Sequence, residues 1–139
     1  MTNSCHFFQK FSHDFVICDK NREKANEVKS VQVIGNVEGK DVIIIDDLID
    51  TGGTISMASK VIMEKGANSV RALISHPVLS GNAEENLENS VLEELVVTDS
   101  IPLKFRNKKI KVLSIAGLIA KAIRKIHENE STSSLFINR

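Results

Sequence analysis

The chain has 139 residues, of which 42% are hydrophobic and 26% are charged. This composition is typical of a single globular domain and excludes a disordered chain. Its 18 lysines and arginines equal its 18 aspartates and glutamates, so the basic excess expected of a nucleic-acid-binding protein is missing. No apolar run approaches the roughly 20 residues of a membrane-spanning helix.

The first third of the chain contains few clear signals. Residues 1–13 have no definite periodicity and no predicted role. They lack the basic start and long apolar core of a signal peptide, so we expect a cytoplasmic protein with Cys5 and Cys18 as reduced thiols. Residues 14–18 are predicted as a buried strand, and the polar residues 19–29 as a mobile loop.

A strand–loop–helix–strand unit is predicted over residues 42–75. A short strand at 31–35 and a turn precede it. Four consecutive β-branched residues at 42–45 favour a strand that is covered on both faces. A helix follows, because apolar residues recur at helical spacing and Gly66 is placed to end it. The next strand is predicted at residues 70–75.

The last third continues the alternation of strands and helices. Residues 83–95 are predicted as a short surface helix, and residues 96–98 and 110–115 as strands. The apolar face of the final helix comprises Leu118, Ile119, Ala122, Ile123 and Ile126. This alternation predicts an α/β fold with a mainly parallel, twisted sheet flanked by helices, formed by residues 1–139 as one domain.

The most informative segment, DDLIDTGGT at residues 46–54, lies between the β-branched strand and the helix. In open α/β sheets, ligands bind at this place. Gly52 and Gly53 permit close approach of the backbone, whose N–H groups and helix dipole favour an anion. Thr51 and Thr54 add hydroxyl donors. These residues suit a phosphate.

The acidic pair at the start of this segment suits a different group. Asp46 and Asp47 would repel a phosphate, but they can accept hydrogen bonds from vicinal hydroxyls or hold Mg²⁺ directly or through water. A diol grip and a phosphate grip together describe ribose 5-phosphate. A helix cap with a tight turn is the alternative interpretation. The segment matches neither the P-loop nor the dinucleotide-binding glycine pattern.

The segment is similar to the ribose-phosphate-binding loop of type I phosphoribosyltransferase-fold proteins. Residues 14–136 resemble the C-terminal domain of the ribose-phosphate pyrophosphokinase family, most specifically at HPVLSG (76–81) and VVTDSIP (96–102). The resemblance implies transfer of the β,γ-diphosphoryl group of ATP to the 1-hydroxyl of ribose 5-phosphate, with Mg²⁺. It also implies a homo-oligomer in the full-length family.

The resemblance also assigns roles to individual residues. Asp46 and Asp47 would hold the ribose hydroxyls and assist the metal. The 5-phosphate would be bound by Asp50, Thr51, Gly52, Gly53 and Thr54. Lys20 and Arg22 match catalytic cations on a flexible loop, where they would stabilise the charge of phosphoryl transfer. Ser131, Ser133 and Phe136 match a regulatory segment. Apart from the resemblance, His76 follows a predicted strand and precedes Pro77, and it is expected to be structural.

The chain departs from this family in its length. The family's N-terminal domain, which supplies much of the ATP site, has no counterpart here. We therefore expect the isolated chain to bind ribose 5-phosphate weakly and to lack synthetase activity. An ordinary phosphoribosyltransferase and a non-catalytic regulatory subunit remain as alternatives.

Overall fold

The computed structural model describes residues 17–24 and 27–136, with side chains from Val33 onward. The strands and helices are β1 (Ile17–Lys24), β2 (Glu27–Ile34), β3 (Asp41–Ile49), α1 (Gly53–Glu64), β4 (Ser69–Pro77), α2 (Ala83–Glu88), β5 (Glu94–Thr98), β6 (Ile110–Leu113) and α3 (Ala116–His127). A short 3₁₀ helix at Ser133–Leu135 follows α3.

The main sheet is parallel and contains β3, β4, β5 and β6 in that order. Each pair of neighbouring strands is joined by a crossover connection, as parallel pairing requires. Helix α1 makes the crossover from β3 to β4, which confirms the predicted strand–loop–helix–strand unit. The predicted α/β fold is therefore confirmed. All four carboxyl ends lie at one edge of the sheet, where the turn after β3 also lies.

The hydrophobic core lies between one face of this sheet and helices α1 and α2. On β4, Val70 and Ile74 are buried whereas Leu73 is exposed, which is the alternation expected of a strand with one covered face. Ile62 of α1 and Leu87 of α2 belong to the same buried cluster. Both helices therefore pack against the same face and fix the position of the β3–α1 turn.

The prediction that β3 is covered on both faces is wrong for the described part of the chain. Strand β3 is an edge strand of the main sheet, and Ile43 is 58% exposed on it. Leu73 on β4 and Leu113 on β6 are exposed as well. A continuous apolar run indicates only that both faces of a strand can be buried. Whether a second layer is present depends on elements elsewhere in the sequence.

The prediction of a loop at residues 19–29 is also wrong where the structure describes them. Strands β1 and β2 form an antiparallel hairpin with Lys20 opposite Val31 and Arg22 opposite Val28. Polar composition indicates exposure to solvent, but it does not prevent backbone pairing. Tertiary contacts then anchor this hairpin, because Val33 is buried in the core and the Lys65 ammonium donates to the Val33 carbonyl oxygen at 2.6 Å.

Helix α2 is shorter than predicted, since it ends at Glu88 rather than at residue 95. The Lys109 ammonium donates to the carbonyl oxygens of Leu87, Glu88 and Ser90 at 2.9, 3.1 and 2.7 Å. It thereby satisfies carbonyl groups that a helix end leaves without partners. Leu95 therefore lies in β5 rather than in a helix, and its side chain is buried in the core.

The final helix is present where it was predicted, but its apolar face is bare. None of the residues of α3 is buried. Ile123 and Ile126 are among the most exposed large apolar side chains. Across the residues that the structure describes, no helix has both the length and the apolar character needed to cross a bilayer.

Asp99 connects the end of β5 to the start of α3. Its carboxylate is hydrogen-bonded by the Ser114 side chain and accepts a hydrogen bond from the Ile115 N–H at 2.9 Å. Both bonds favour the ionised form and hold the pKa of the Asp99 carboxyl below its ordinary value. Its contribution to stability is therefore present above the ordinary pKa of about 3.9 and is lost as the pH falls through the folded value.

This shift predicts a pH-dependent difference between the wild type and an Asp99→Asn variant. The wild type should have the higher free energy of unfolding at neutral pH, and the difference should shrink below about pH 4 as Asp99 becomes protonated. Urea unfolding followed by circular dichroism between about pH 2 and pH 6 measures it. A difference that is constant with pH would show that the carboxylate charge has no role in this connection.

Candidate functional site

The turn between β3 and α1 has the geometry of an anion-binding site. Gly52 lies in the left-handed region with φ of 75°, and the helix begins at the next residue. The first backbone hydrogen bond into the helix runs from the Ser56 N–H to the Gly52 carbonyl oxygen, at 3.0 Å. No side chain of the described residues caps this end, so the first N–H groups of α1 remain available to a ligand.

The predicted acidic pair lies within the last part of β3, because the strand continues to Ile49. Asp46 is half-buried and Asp47 is exposed. The Asp47 N–H donates to the Asp46 Oδ1 at 3.0 Å. The two carboxylates thus differ in their exposure to solvent.

The same carboxylates have the chemistry that Mg²⁺ prefers. Mg²⁺ is usually held by one or two carboxylates, by water and by the phosphates of a substrate. Asp46 and Asp47 are two carboxylates of this kind. Elsewhere in the described ranges there is no cluster of three or more histidines, cysteines or acids that could hold a metal by itself. The residues therefore fit a substrate-assisted magnesium site.

The turn is supported by the segment that follows β4. The Val78 and Leu79 N–H groups donate to the Ile49 carbonyl oxygen at 3.0 and 3.2 Å, and the Ser80 N–H donates to the Asp50 carbonyl oxygen at 3.2 Å. Leu79 has a positive φ of 48°, which is uncommon for a branched residue and indicates a tightly determined loop. The two loops therefore form one hydrogen-bonded unit at the carboxyl edge of the sheet.

A second polar cluster lies at the ends of β4 and β5. The Ser100 hydroxyl donates to the Ser75 carbonyl oxygen at 3.0 Å and lies 2.9 Å from the Nδ1 of His76. The Ser75 carbonyl oxygen also accepts a hydrogen bond from the Thr98 hydroxyl. These bonds join the two strand ends, and the structural role of His76 stays a prediction.

The turn thus places an uncapped helix start next to a strand that contains two carboxylates, and the binding roles that the resemblance implied for them stay predictions. Comparison with known families gives a match to the phosphoribosyl synthetase-associated domain over residues 16–137. The chain belongs to this family. Its α/β fold and its partial length agree with that membership.

Curated relatives support the assignment over most of the chain. It is 56% identical over 131 residues to the ribose-phosphate pyrophosphokinase of Helicobacter hepaticus, which covers 94% of this chain and 42% of that protein. The corresponding protein of Campylobacter jejuni is 54% identical over 124 residues, which cover 89% of this chain and 40% of the relative. The chain thus spans about two fifths of the length of these relatives.

A solved structure has the same fold. The crystal structure of phosphoribosylpyrophosphate synthetase from Mycobacterium smegmatis superposes with a TM-score of 0.69 and 41% sequence identity. The match covers 74% of this chain and 35% of that one. The family membership and the fold therefore rest on both sequence and structure.

The other residues that the resemblance singled out lie outside the turn. Lys20 and Arg22 are on β1, and their catalytic role stays a prediction. The Ser131 hydroxyl bonds the Ser133 hydroxyl at 2.9 Å, and it accepts from the Ser133 N–H at 3.2 Å. Phe136 is largely exposed. The contacts of this tail are local, and its regulatory role also stays a prediction.

Two residues that contact the turn carry no signal of that contact in the sequence. The Ser80 hydroxyl donates to the Asp50 carboxylate. The Asn86 side-chain amide donates to the Thr51 carbonyl oxygen at 2.8 Å. The HPVLSG motif contains Ser80, but the motif does not state what the hydroxyl contacts. Asn86 lies 35 residues beyond Thr51, and no local pattern indicates so distant a contact.

Proposed function

We propose that this chain carries the ribose-5-phosphate-binding half of a ribose-phosphate diphosphokinase. In the reaction, the 1-hydroxyl oxygen of ribose 5-phosphate attacks the β-phosphorus of ATP. The bond from that phosphorus to the α,β-bridging oxygen breaks, AMP leaves, and the hydroxyl proton is released. Phosphoribosyl pyrophosphate is the other product. The relatives that are named ribose-phosphate pyrophosphokinase support this reaction.

The observation that carries the proposal is the start of α1, which no side chain of the described residues caps and which follows Gly52 in the left-handed conformation. Asp46 and Asp47 lie shortly before it, on the preceding strand β3. The backbone N–H groups of the turn bind the 5-phosphate, with hydroxyl donors from Thr51 and Thr54. Asp46 and Asp47 accept hydrogen bonds from the ribose hydroxyls. One ligand then occupies both grips.

Mg²⁺ is the metal that fits this proposal. Asp46 and Asp47 would hold it, directly or through water, together with oxygens of the substrates. When bound, it supplies positive charge that neutralises the charge of the phosphoryl groups. The two aspartates have the further task of orienting the ribose, since a carboxylate accepts hydrogen bonds from two neighbouring hydroxyls.

The remaining parts of the proposal rest on the resemblance. Lys20 and Arg22 stabilise the transferred phosphates. The segment with Ser131, Ser133 and Phe136 is regulatory, and the family's homo-oligomeric state and cytoplasmic setting apply to the full-length protein. By the same resemblance, the part of the relatives that this chain does not span supplies much of the ATP site, so we expect the isolated chain to be inactive. Release of AMP from ATP, Mg²⁺ and ribose 5-phosphate by the pure chain would contradict that expectation.

Calorimetric titration tests the binding half directly. The chain should bind ribose 5-phosphate more tightly than inorganic phosphate, and inorganic phosphate more tightly than ribose. This order follows because only ribose 5-phosphate contacts both grips. Equal affinity for ribose 5-phosphate and inorganic phosphate would show that the acids do not contact the sugar. Absence of binding by all three ligands would overturn the proposal.

A pair of glycine variants tests the shape of the turn. Gly52 and Gly39 both have positive φ, 75° and 69°, so each Gly→Ala substitution should lower the free energy of unfolding by about 1–2 kcal/mol. Gly39 lies at the other end of β3 with nothing within 4 Å of an added Cβ. Only Gly52→Ala should also weaken binding of ribose 5-phosphate, because relief of its strain moves the neighbouring N–H groups. Equal affinity of the two variants would contradict this.

A non-catalytic subunit is the second candidate. The description of the matching family as synthetase-associated favours it. Such a subunit has no need for a working sugar-phosphate site. Binding of ribose 5-phosphate with the preference given above supports the diphosphokinase half-site, and assembly with a synthetase without such binding supports the second candidate.

A further inference from the structure

Three successive carbonyl groups at the end of β3 and in the turn are held by donors from one side. The Ile49 carbonyl oxygen accepts from the Val78 and Leu79 N–H groups, and the Asp50 carbonyl oxygen accepts from the Ser80 N–H. The Thr51 carbonyl oxygen accepts from the Asn86 side chain. All these donors belong to the segment between β4 and the middle of α2.

Holding these carbonyl groups fixes the direction of the adjacent N–H groups. No peptide bond in the described residues is cis, and the C=O and N–H of a trans peptide point in opposite directions. The N–H groups of Asp50, Thr51 and Gly52 therefore point away from residues 78–86. Successive N–H groups on one side form a concavity that binds anions. The segment at residues 78–86 thereby orients the N–H groups of the turn so that they can bind a phosphate.

Ser80 is bonded to Asp50 in a second way. Its hydroxyl donates to the Asp50 carboxylate, in addition to the bond from its N–H. A carboxylate and a phosphate are both acceptors and repel each other, so the Asp50 carboxylate has no bond to offer a phosphate. Its hydrogen bond from Ser80 instead connects the turn to the loop that follows β4.

Asn86 connects three elements. Its side chain donates to Thr51 at 2.8 Å, while its own carbonyl oxygen accepts from the Ser56 hydroxyl of α1, also at 2.8 Å. An added Cβ on Gly52 would lie 3.7 Å from the Asn86 Cβ. Asn86 is half-buried; its bond to Thr51 is exposed to solvent, and the bond that it accepts from Ser56 is partly buried. The turn, α1 and α2 are therefore locked together at this residue.

We propose that Ser80 and Asn86 are positioning residues for the phosphate grip, and that Asp50 acts with them by shaping the turn rather than by contacting the phosphate through its carboxylate. This inference rests on the proposed function, since it names the residues that prepare that site for its ligand. Neither side chain contacts the substrate. Each acts through a carbonyl or carboxylate group of the turn.

The chain offers a matched control for each residue. The Ser69 hydroxyl donates to the Asp41 carboxylate at 2.5 Å, as Ser80 does to Asp50. The Asn68 side-chain amide donates to the Gly39 carbonyl oxygen at 2.7 Å, as Asn86 does to Thr51. Ser69, Asn68 and their partners lie at the amino edge of the main sheet, opposite the turn. Their alanine variants lose the same kinds of hydrogen bond without touching the turn.

The test uses two readouts on the whole chain. In the first, ¹⁵N relaxation should show that Ser80→Ala and Asn86→Ala lower the backbone order of residues 50–53, whereas Ser69→Ala and Asn68→Ala do not. In the second, Ser80→Ala and Asn86→Ala should each weaken binding of ribose 5-phosphate and of inorganic phosphate by about tenfold. Ser80→Thr keeps a hydroxyl and should restore most of both properties.

The outcomes separate this inference from the proposed function. Unchanged order and unchanged affinity in Ser80→Ala and Asn86→Ala would overturn the positioning role. Equal losses in the amino-edge controls would also overturn it, because the effect would then be general destabilisation. A wild-type chain that binds none of the ligands would overturn the proposed function, and the relaxation measurement would still decide whether these residues order the turn.

Discussion

Replacing Asp47 by alanine is expected to weaken binding of ribose 5-phosphate by roughly 10- to 150-fold. This range corresponds to about 1.5–3 kcal/mol, the usual contribution of a hydrogen bond to a charged group. Asp47 is exposed, so its removal should change the free energy of unfolding by no more than about 0.5 kcal/mol. The loss therefore reflects recognition of the sugar and not unfolding.

The choice of ligand makes this test specific. Affinity for inorganic phosphate should stay constant or rise in Asp47→Ala, because a negative charge near the anion has been removed. Asp41→Ala is the control, since it removes a carboxylate from the other end of the same strand. Calorimetric titration of both variants with both ligands gives the four values needed. A parallel loss for the two ligands in Asp47→Ala would show that Asp47 does not contact the ribose.

The largest effect on stability is expected for Leu95→Ala. Leu95 is fully buried between the main sheet and its helices, and truncation of a buried leucine costs about 2–5 kcal/mol through lost burial and the cavity left behind. The free energy of unfolding of a domain is only about 5–15 kcal/mol. This variant should therefore keep only a small part of it at ambient temperature.

Leu73→Ala provides the matched comparison. Leu73 lies on the neighbouring strand β4 and is 40% exposed on the uncovered face of the sheet. The same substitution there leaves no closed cavity, so the loss should be well below that of Leu95→Ala. The chain has no tryptophan or tyrosine, and circular dichroism during urea unfolding is the suitable signal. Equal losses would mean that the open face of β4 is covered in solution.

The open face of the sheet is not covered by any of the residues that the structure describes. The exposed apolar residues on β3 and β4 and the bare face of α3 are those that a second layer would bury. Parallel sheets are normally covered on both faces. The β-branched run at residues 42–45 therefore indicated a strand that could be buried on both faces, but the described residues cover only one face of the sheet.

The same limit explains the error at residues 19–29 and the lack of a sequence signal for two contacts of the turn. Hairpin formation by β1 and β2 depends on backbone pairing, which polar side chains neither require nor prevent. Ser80 and Asn86 contact residues that are 30 and 35 positions away. Such contacts exist only after the parallel sheet has placed the ends of β3 and β4 side by side.

The sequence alone determined the class of fold, the parallel strand–helix–strand unit and the turn at residues 50–54, because hydrophobic period and glycine placement act over a few residues. Family resemblance then indicated the chemistry that we propose for this turn. Only the tertiary structure decided which face of the sheet is covered, where Lys20 and Arg22 lie, and which side chains hold the turn. Those features depend on contacts between residues far apart in the chain, and a local pattern contains no information about them.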